Sequence, residues 1–183
     1  MESPNLQALN NILTRTSDRN FDKNKAVEKP ALLTILNAAM AAPSGVNKQP
    51  WHFVVVTSRA LLDELAHALP YCKSAASAPA AIVVCGDETR FLAGDDATLW
   101  VQDVSAASEN ILLAAHALGL GAVWTAVYPH PDREAAVREI LNLPANLVPF
   151  NIIPIGHPET THNPIVKWDP AKITWMDGST EKE

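Results

Sequence analysis

The longest apolar helix that the sequence predicts constrains the fold more than any other feature. It covers about Ala97 to Leu118, with Asp95 or Asp96 as its N-terminal cap and Gly119 just past its end. Residues at three- and four-residue spacing form one apolar face: Val104, Ala107, Ile111, Ala114 and Leu118. Three more apolar residues extend this face almost around the helix: Leu112, Leu113 and Ala115. Its C-terminal half is therefore predicted to be central and buried.

Helices and strands alternate along the rest of the chain. Four further helices are predicted, within Asn5–Arg15 and over Pro30–Ala42, Arg59–Leu69 and Pro131–Leu141. Four strands are predicted at His52–Thr57, Ala80–Gly86, Ala122–Val127 and Phe150–Gly156. The second strand is apolar throughout and is expected to be buried on both faces. Pro154 cannot donate a ladder hydrogen bond, which predicts an edge position or a bulge. The order indicates a helix-covered α/β or α+β sandwich.

Length and composition exclude several classes of protein. The 183 residues and an apolar content of 48% predict one domain over 1–177, followed by a polar tail over 178–183. The net charge of -6 disfavours nucleic-acid binding. Neither a signal peptide nor a membrane span is recognisable. Cys72 and Cys85 are read as inert thiols in a reducing compartment, so a cytoplasmic protein is expected. No CxxC or HExxH spacing indicates a metal site.

Four polar segments could hold a ligand, and each also has a plainer interpretation. Arg15 to Arg19 could hold a phosphate group, or could end a helix in solvent. The loop from Ala42 to Trp51 could contact the edge of a heterocycle, or be an ordinary turn. Gly119 to Tyr128 could offer strand amides to a ligand, or only end a helix. Lys167 could add charge beside a phosphate, or be solvated.

Taken in order, the segments resemble the FMN-dependent nitroreductase family over nearly the whole chain. The matching pieces are TRTSDRNF at 14–21, AAPSGVNKQPWHFVVV at 41–56, SAPAAIVVCGD at 77–87, WVQDVSAASENILLAAHALGLGAVWTAVYP at 100–129, NLVPFNIIPIGHPE at 146–159 and VKWDPAKITW at 166–175. The resemblance implies an α+β fold with a mixed central sheet flanked by helices. It also implies an obligate homodimer, with the long helix at the two-fold interface and FMN bound there by both subunits.

The resemblance carries over to individual residues. Arg15 and Ser17 would hold the phosphate and ribityl groups, Thr16 belongs to the same motif, and Arg19 would reach the pyrimidine edge of the flavin. The family often has arginine or histidine where Thr16 stands, and commonly an apolar residue where Asp18 stands. The remaining flavin contacts implied are Pro43, Ser44 and Gly45 from the other subunit, then Asn47, Gln49, Trp124, Thr125, Ala126 and Lys167.

The resemblance also implies a reaction. NADH or NADPH would give hydride to the flavin, and nitroaromatic, quinone or similar small acceptors would follow in the same place, by a ping-pong mechanism. Arg19 would stabilise the negative charge of the reduced flavin. No catalytic side chain and no metal ion are expected, because the cofactor carries the chemistry. Two alternatives stay open: a flavin-binding or flavin-delivery protein without turnover, and, ranked lower, reductive dehalogenation or dehydrogenation of a ring.

Overall fold

The computed structural model describes residues 4–160 and 162–176. Within these residues the helices are α1 (Pro4–Thr14), α2 (Lys29–Met40), α3 (Arg59–Ala68), α4 (Trp100–Ala117) and α5 (Pro131–Leu141). The strands are β1 (Trp51–Val56), β2 (Ala80–Asp87), β3 (Gly121–Ala122), β4 (Thr125–Ala126) and β5 (Leu147–Gly156). The predicted domain over 1–177 with a polar tail over 178–183 extends past the described residues and stays a prediction.

The strands form one sheet in the order β1–β2–β5–β3, and β4 also pairs with β5. The α+β class and the helix-flanked sheet are confirmed. One detail differs from the resemblance: every described strand pair is antiparallel, so this part of the sheet is not mixed. The reason is visible in the connection through α3, which returns the chain to the same end of the sheet. β2 therefore runs back alongside β1 as its antiparallel neighbour.

The core lies on both faces of the sheet, as predicted for the apolar second strand. On one face, Ile82 and Val84 pack with Ile35 of α2 and with Val104 and Ile111 of α4. The opposite face packs against α3 and α5 through a second set of buried residues, which includes Ala81, Val83, Cys85, Leu62, Leu65 and Val137. Alternate side chains of β2 thus enter two separate cores, because successive side chains in a strand point to opposite faces.

The long helix is confirmed, but its start differs from the prediction. Asp95 and Asp96 lie in a separate 3₁₀ turn, Gly94–Asp96, and α4 begins at Trp100 without a side-chain cap. Val104, Ala107 and Ile111 are buried as expected, whereas Leu118 is 45% exposed. No described helix combines the length and apolarity that a membrane span requires.

The predicted strand Ala122–Val127 is split in two because of Pro154. The gap between β3 and β4 lies opposite this proline in the register of β5. The Pro154 carbonyl accepts a hydrogen bond from the Val123 amide at 3.4 Å, but the proline has no N–H to return. The prediction for Pro154 is therefore wrong: β5 is paired on both sides, and its register shift against β2 lies between Val84 and Cys85.

Candidate functional site

A cavity of about 980 Å³ brings together residues from both ends of the chain. We call it the large cavity. Its walls are the end of α1, Glu109 of α4, and the segment over 162–168. Five of the predicted site residues line it: Arg15, Thr16, Ser17, Arg19 and Lys167. The early arginine cluster and the late lysine therefore line one cavity, although most of the sequence separates them.

Arg15 is the most constrained cation of the large cavity. Its Nε lies 3.5 Å from Glu109 Oε1, and its side chain is only 16% exposed. Its Nη1 is buried and has no hydrogen-bond partner among the residues that the structure describes. A buried donor without an acceptor costs free energy, and an oxyanion in the cavity would remove that cost. The geometry therefore favours an anionic ligand at Arg15.

The end of α1 is fixed against α4 next to this arginine. The Thr14 hydroxyl donates to the Asn10 carbonyl at 2.7 Å and lies 2.9 Å from His116 Nε2. The Asn11 amide donates to the Leu113 carbonyl at 3.0 Å. His116 is half-buried, and its Nε2 contacts the Thr14 hydroxyl. These contacts set the point at which the chain leaves α1 and enters the cavity wall.

Asp18 lies beside the large cavity but does not line it. Its amide donates to the Ala122 carbonyl at 3.1 Å, and its carboxylate lies 3.9 Å from His162 Nε2. A Cβ atom at Gly121 would lie 2.7 Å from the Asp18 Cβ, so the glycine permits this close approach. Burial raises the pKa of Asp18, and the nearby positive groups of His162, His116, Arg15 and Arg19 offset only part of that rise.

The loop predicted to contact flavin lies away from the large cavity within one chain. Its Gly45 amide donates to Asp103 Oδ1 of α4 at 3.0 Å. The Gln49 amide donates to Ser44 Oγ, and the Gln49 side chain to Asn47 Oδ1, both at 2.9 Å. A helix rises about 1.5 Å per residue, which separates Asp103 from Glu109 by about 9 Å along the axis. Pro43, Ser44, Gly45, Asn47 and Gln49 therefore line no part of the cavity in the single chain.

The predicted strand contacts also lie outside the walls of the large cavity. Trp124 packs edge-on against Phe150, with ring centroids 5.5 Å apart. The Thr125 hydroxyl is buried and donates to the Tyr71 carbonyl at 3.4 Å. The Ala126 carbonyl accepts a hydrogen bond from Arg133 Nη1 at 3.3 Å. A role in cofactor binding for Trp124, Thr125 and Ala126 stays a prediction.

Sequence reasoning missed the two carboxylates that α4 brings to these segments. Asp103 is 8% exposed, and its carboxylate accepts the hydrogen bond that holds Gly45. Its spacing from Ala107 and Ile111 places it on the buried helix face, and this pattern could have revealed it. Nothing in the sequence pairs Glu109 with Arg15. In the described part of the chain, no three His, Cys, Asp or Glu side chains are grouped to hold a metal ion.

The sequence matches the model of the nitroreductase family over residues 12–70 and 63–157. The chain belongs to this family. The "Putative NADH dehydrogenase/NAD(P)H nitroreductase" of Methanothermobacter thermautotrophicus is 42% identical over 169 residues, which are 92% of this chain and 86% of that protein.

Solved structures of nitroreductases share the fold. One is the crystal structure of a "Putative NADH dehydrogenase/NAD(P)H nitroreductase" from Bacteroides thetaiotaomicron, with a TM-score of 0.87 and 48% identity over 93% of this chain and 97% of that one. Another is the crystal structure of a "putative nitroreductase in complex with fmn" from Desulfovibrio desulfuricans, with a TM-score of 0.74 and 32% identity over 93% of this chain and 95% of that one. The family and its fold, expected from the sequence, are confirmed, and the family supports an oxidoreductase.

Proposed function

We propose that this nitroreductase-family chain is an FMN-dependent oxidoreductase that takes hydride from NADH or NADPH. Nitroaromatic compounds, quinones or similar small molecules accept the electrons in a ping-pong cycle. The observation that carries the proposal is Nη1 of Arg15, which is buried in the wall of the large cavity and has no partner within the described part of the chain. The names of the relatives, and the FMN in the Desulfovibrio structure, support the same cofactor and donor.

The residues of the large cavity fit a flavin phosphate. Its volume of about 980 Å³ lies at the upper end of the range for small-molecule and cofactor sites. Arg15, Arg19 and Lys167 bring positive charge to its walls, against one carboxylate, Glu109. Glu109 contacts Nε of Arg15, which leaves Nη1 of the same guanidinium for a ligand. The donor set therefore suits a dianionic phosphate.

When bound, FMN supplies the hydride-transfer chemistry. The chain contributes binding and electrostatics. Arg15 would donate hydrogen bonds to the phosphate, Ser17 would donate to the ribityl or phosphate oxygens, and Lys167 would add positive charge from the same cavity wall. Thr16 belongs to the same wall. Arg19 stabilises negative charge at the pyrimidine edge of the ring. No protein side chain needs to act as acid, base or nucleophile.

A homodimer completes the proposed site. Leu6, Leu9, Ile12 and Leu13 of α1 are 54–72% exposed, and helix geometry turns Leu6, Leu9 and Leu13 away from Asn11, which contacts α4. Further apolar side chains are exposed near the end of the described chain, including Ile165, Val166, Trp168 and Trp175. Burying so much apolar surface against a second copy is favourable. In the dimer, Pro43, Ser44 and Gly45 of the partner would approach the flavin, with Asn47, Gln49, Trp124, Thr125 and Ala126 contributing further contacts.

We also infer a cytoplasmic location. Cys72 and Cys85 are free and buried, and burial raises the pKa of each thiol to about 12. Thiols that stay protonated are poor nucleophiles, so both behave as small apolar side chains. Free cysteines of this kind suit a reducing compartment.

The visible spectrum of the purified protein, before and after reduction, tests the proposed function. We expect a yellow protein with flavin absorbance that bleaches when NADH or NADPH is added without oxygen, and regains colour when a quinone or nitroaromatic compound follows. A colourless protein that cannot be reconstituted with FMN would contradict the proposal. Bound flavin that neither nicotinamide reduces would instead favour the alternative of a flavin-binding or flavin-delivery protein.

A further inference from the structure

The segment over 162–168 lines the large cavity, but little within the single chain fixes it there. Among the described residues, no hydrogen bond or ion pair joins 163–168 to the rest of the chain. The apolar side chains of Ile165, Val166 and Trp168 are 74–89% exposed, so they pack only weakly against their own chain. The position of Lys167 therefore depends on how the start of the segment is held.

His162 makes the polar contact that holds this start. Its Nε2 lies 3.9 Å from Asp18 Oδ1 and 3.3 Å from the Thr160 hydroxyl oxygen. Asp18 stands between Arg15 and Arg19 in the sequence. The contact thus connects the early arginine cluster with the segment that carries the late lysine.

Asp18 is the fixed partner of the pair. Only 11% of its side chain is exposed, against 51% for His162. Its amide donates to the Ala122 carbonyl at 3.1 Å, and a Cβ atom at Gly121 would lie 2.7 Å from the Asp18 Cβ. The sheet therefore positions the carboxylate, and the exposed imidazole approaches it from outside. Because the resemblance to the family puts an apolar residue at position 18, the pair is a feature of this chain.

Several charged or titratable groups surround the two partners. Four face the Asp18 carboxylate: Arg15 and Arg19 of its own segment, His116 of α4, and His162. The strand β3, which also packs against Asp18, consists of glycine and alanine and adds no titratable group. His162 shares the walls of the large cavity with Arg15, Arg19, Glu109 and Lys167. The carboxylate of Asp18 is thus held among cations, and only the two histidines among them change charge near neutral pH.

The strength of the pair depends on pH in both directions. Burial raises the pKa of Asp18, so its carboxylate loses its charge as the pH falls. Histidine changes charge between about pH 5 and 8, and a protonated imidazole carries an N–H on both ring nitrogens. The attraction is therefore lost as the pH rises and the imidazole becomes neutral.

We propose that Asp18 and His162 form a pH-sensitive ion pair that holds the segment over 162–168 in the wall of the large cavity. With the pair formed, Lys167 stays at the cavity; without it, the segment moves away more often and the cavity opens. Both are positioning residues, since they act through the placement of Lys167. The pair itself does not depend on the proposed function, whereas its effect on FMN retention does.

Tryptic cleavage after Lys167, followed by mass spectrometry of the purified protein, tests the pair without any flavin measurement. We expect His162→Gln to be cleaved about two- to fivefold faster than the wild type at about pH 6.5, because partly exposed ion pairs contribute factors of this size. At about pH 8.5 the two rates converge, since the imidazole is then neutral. Comparison at equal pH cancels the pH dependence of the protease.

Two further variants separate this contact from a general weakening of the fold. His67→Gln is the matched control, because His67 is exposed and does not line the large cavity, and it should be cleaved like the wild type. Asp18→Asn should be cleaved as fast as His162→Gln at about pH 6.5 without a fall in Tm. The double variant Asp18→Asn, His162→Gln should be cleaved no faster than either single variant, since both remove one interaction.

The proposal is overturned if His162→Gln is cleaved no faster than His67→Gln at about pH 6.5. It is also overturned if the difference persists undiminished at about pH 8.5, or if the effects of the two single substitutions multiply in the double variant.

Release of FMN separates this proposal from the proposed function. From the loaded protein, we expect FMN to dissociate about two- to fivefold faster from His162→Gln than from the wild type at about pH 6.5, with the difference lost at about pH 8.5. Faster cleavage with unchanged FMN release would support the pair and overturn its role in retention. If the wild type cannot be loaded with FMN, the proposed function fails, and the cleavage rates still decide on the pair.

Discussion

Asp18 is a carboxylate in a buried position that disfavours its charged form. The resemblance to the family puts an apolar side chain at this position, yet here a carboxylate 7% exposed packs against Gly121. Burial disfavours its charged form more than the nearby histidines and arginines favour it, so its pKa is raised. The folded protein therefore holds this proton more tightly than the unfolded chain does. Protonated Asp18 stabilises the fold at low pH, and this contribution is lost as pH rises through the folded-state pKa.

Replacing the carboxylate with its neutral isostere tests this. We expect Asp18→Asn to raise Tm by a few degrees at pH 7, since it removes the cost of burying a charge. The gain shrinks as the pH falls and the native carboxylate becomes protonated. Thermal unfolding at pH 7 and at a series of lower pH values measures it, with the exposed Asp96→Asn as control. A Tm at pH 7 that is unchanged or lower than that of the native protein would contradict the account.

At the same scale, the sequence predicted some of the residues that line the large cavity and missed others. Arg15 and Lys167 could be assigned to one kind of ligand because each is a cation in a recognisable segment, and the large cavity brings them together. The Arg15–Glu109 pair could not be predicted, because long-range ion pairs depend on how α1 packs against α4. The same holds for Lys73 and Tyr71, which line a cavity together with Arg19 only in the folded chain.

At the scale of elements, α4 organises the candidate site. Its Asp103 fixes the loop at Gly45, and its Glu109 fixes Arg15. Periodicity was enough to predict this helix and its main buried face, because the pattern repeats over several turns. It could not predict the split between β3 and β4, which depends on Pro154 in a partner strand distant in sequence.

The contact between α4 and the loop yields a prediction about stability. We expect Asp103→Ala to lower the free energy of unfolding by about 1–3 kcal/mol, because it removes a buried acceptor and leaves the Gly45 amide unpaired. Urea denaturation measures the change. The neighbouring Gln102 is exposed, so Gln102→Ala serves as the control and should change stability by less than about 0.5 kcal/mol. Equal effects of the two substitutions would show that the Asp103 contact contributes nothing specific.

At the scale of the whole molecule, the single chain leaves an apolar helix face uncovered. Asn11 and Thr14 direct one side of α1 towards α4, while Leu6, Leu9 and Leu13 point away and are exposed. An amphipathic helix normally buries its apolar stripe. Because the apolar side of α1 faces outward instead, we infer that a second copy of the chain covers it. The same assembly would bring the loop at 43–49 towards the flavin.

A charge on this face should separate the subunits. We expect Leu9→Asp to raise the dissociation constant of the dimer at least tenfold, because a carboxylate buried without a partner is strongly unfavourable at an interface. Gln7→Asp adds the same charge on the same helix, at an exposed position on another side, and should leave the dimer intact. Analytical ultracentrifugation across a concentration series measures both. A monomeric wild-type protein, or a fully dimeric Leu9→Asp variant, would contradict the proposed assembly.

The central claim is that the large cavity holds a flavin phosphate at Arg15. The dissociation constant of FMN from the Arg15→Ala variant, measured by flavin fluorescence and compared with that of the wild type, tests it most directly. The control is Arg90→Ala, because Arg90 is exposed and does not line the large cavity. Because a hydrogen bond to a charged group contributes about 1.5–3 kcal/mol, we expect FMN to bind Arg15→Ala about 10- to 100-fold more weakly, with the dimer retained and Arg90→Ala unaffected. An unchanged FMN dissociation constant for Arg15→Ala would show that the phosphate is not bound there.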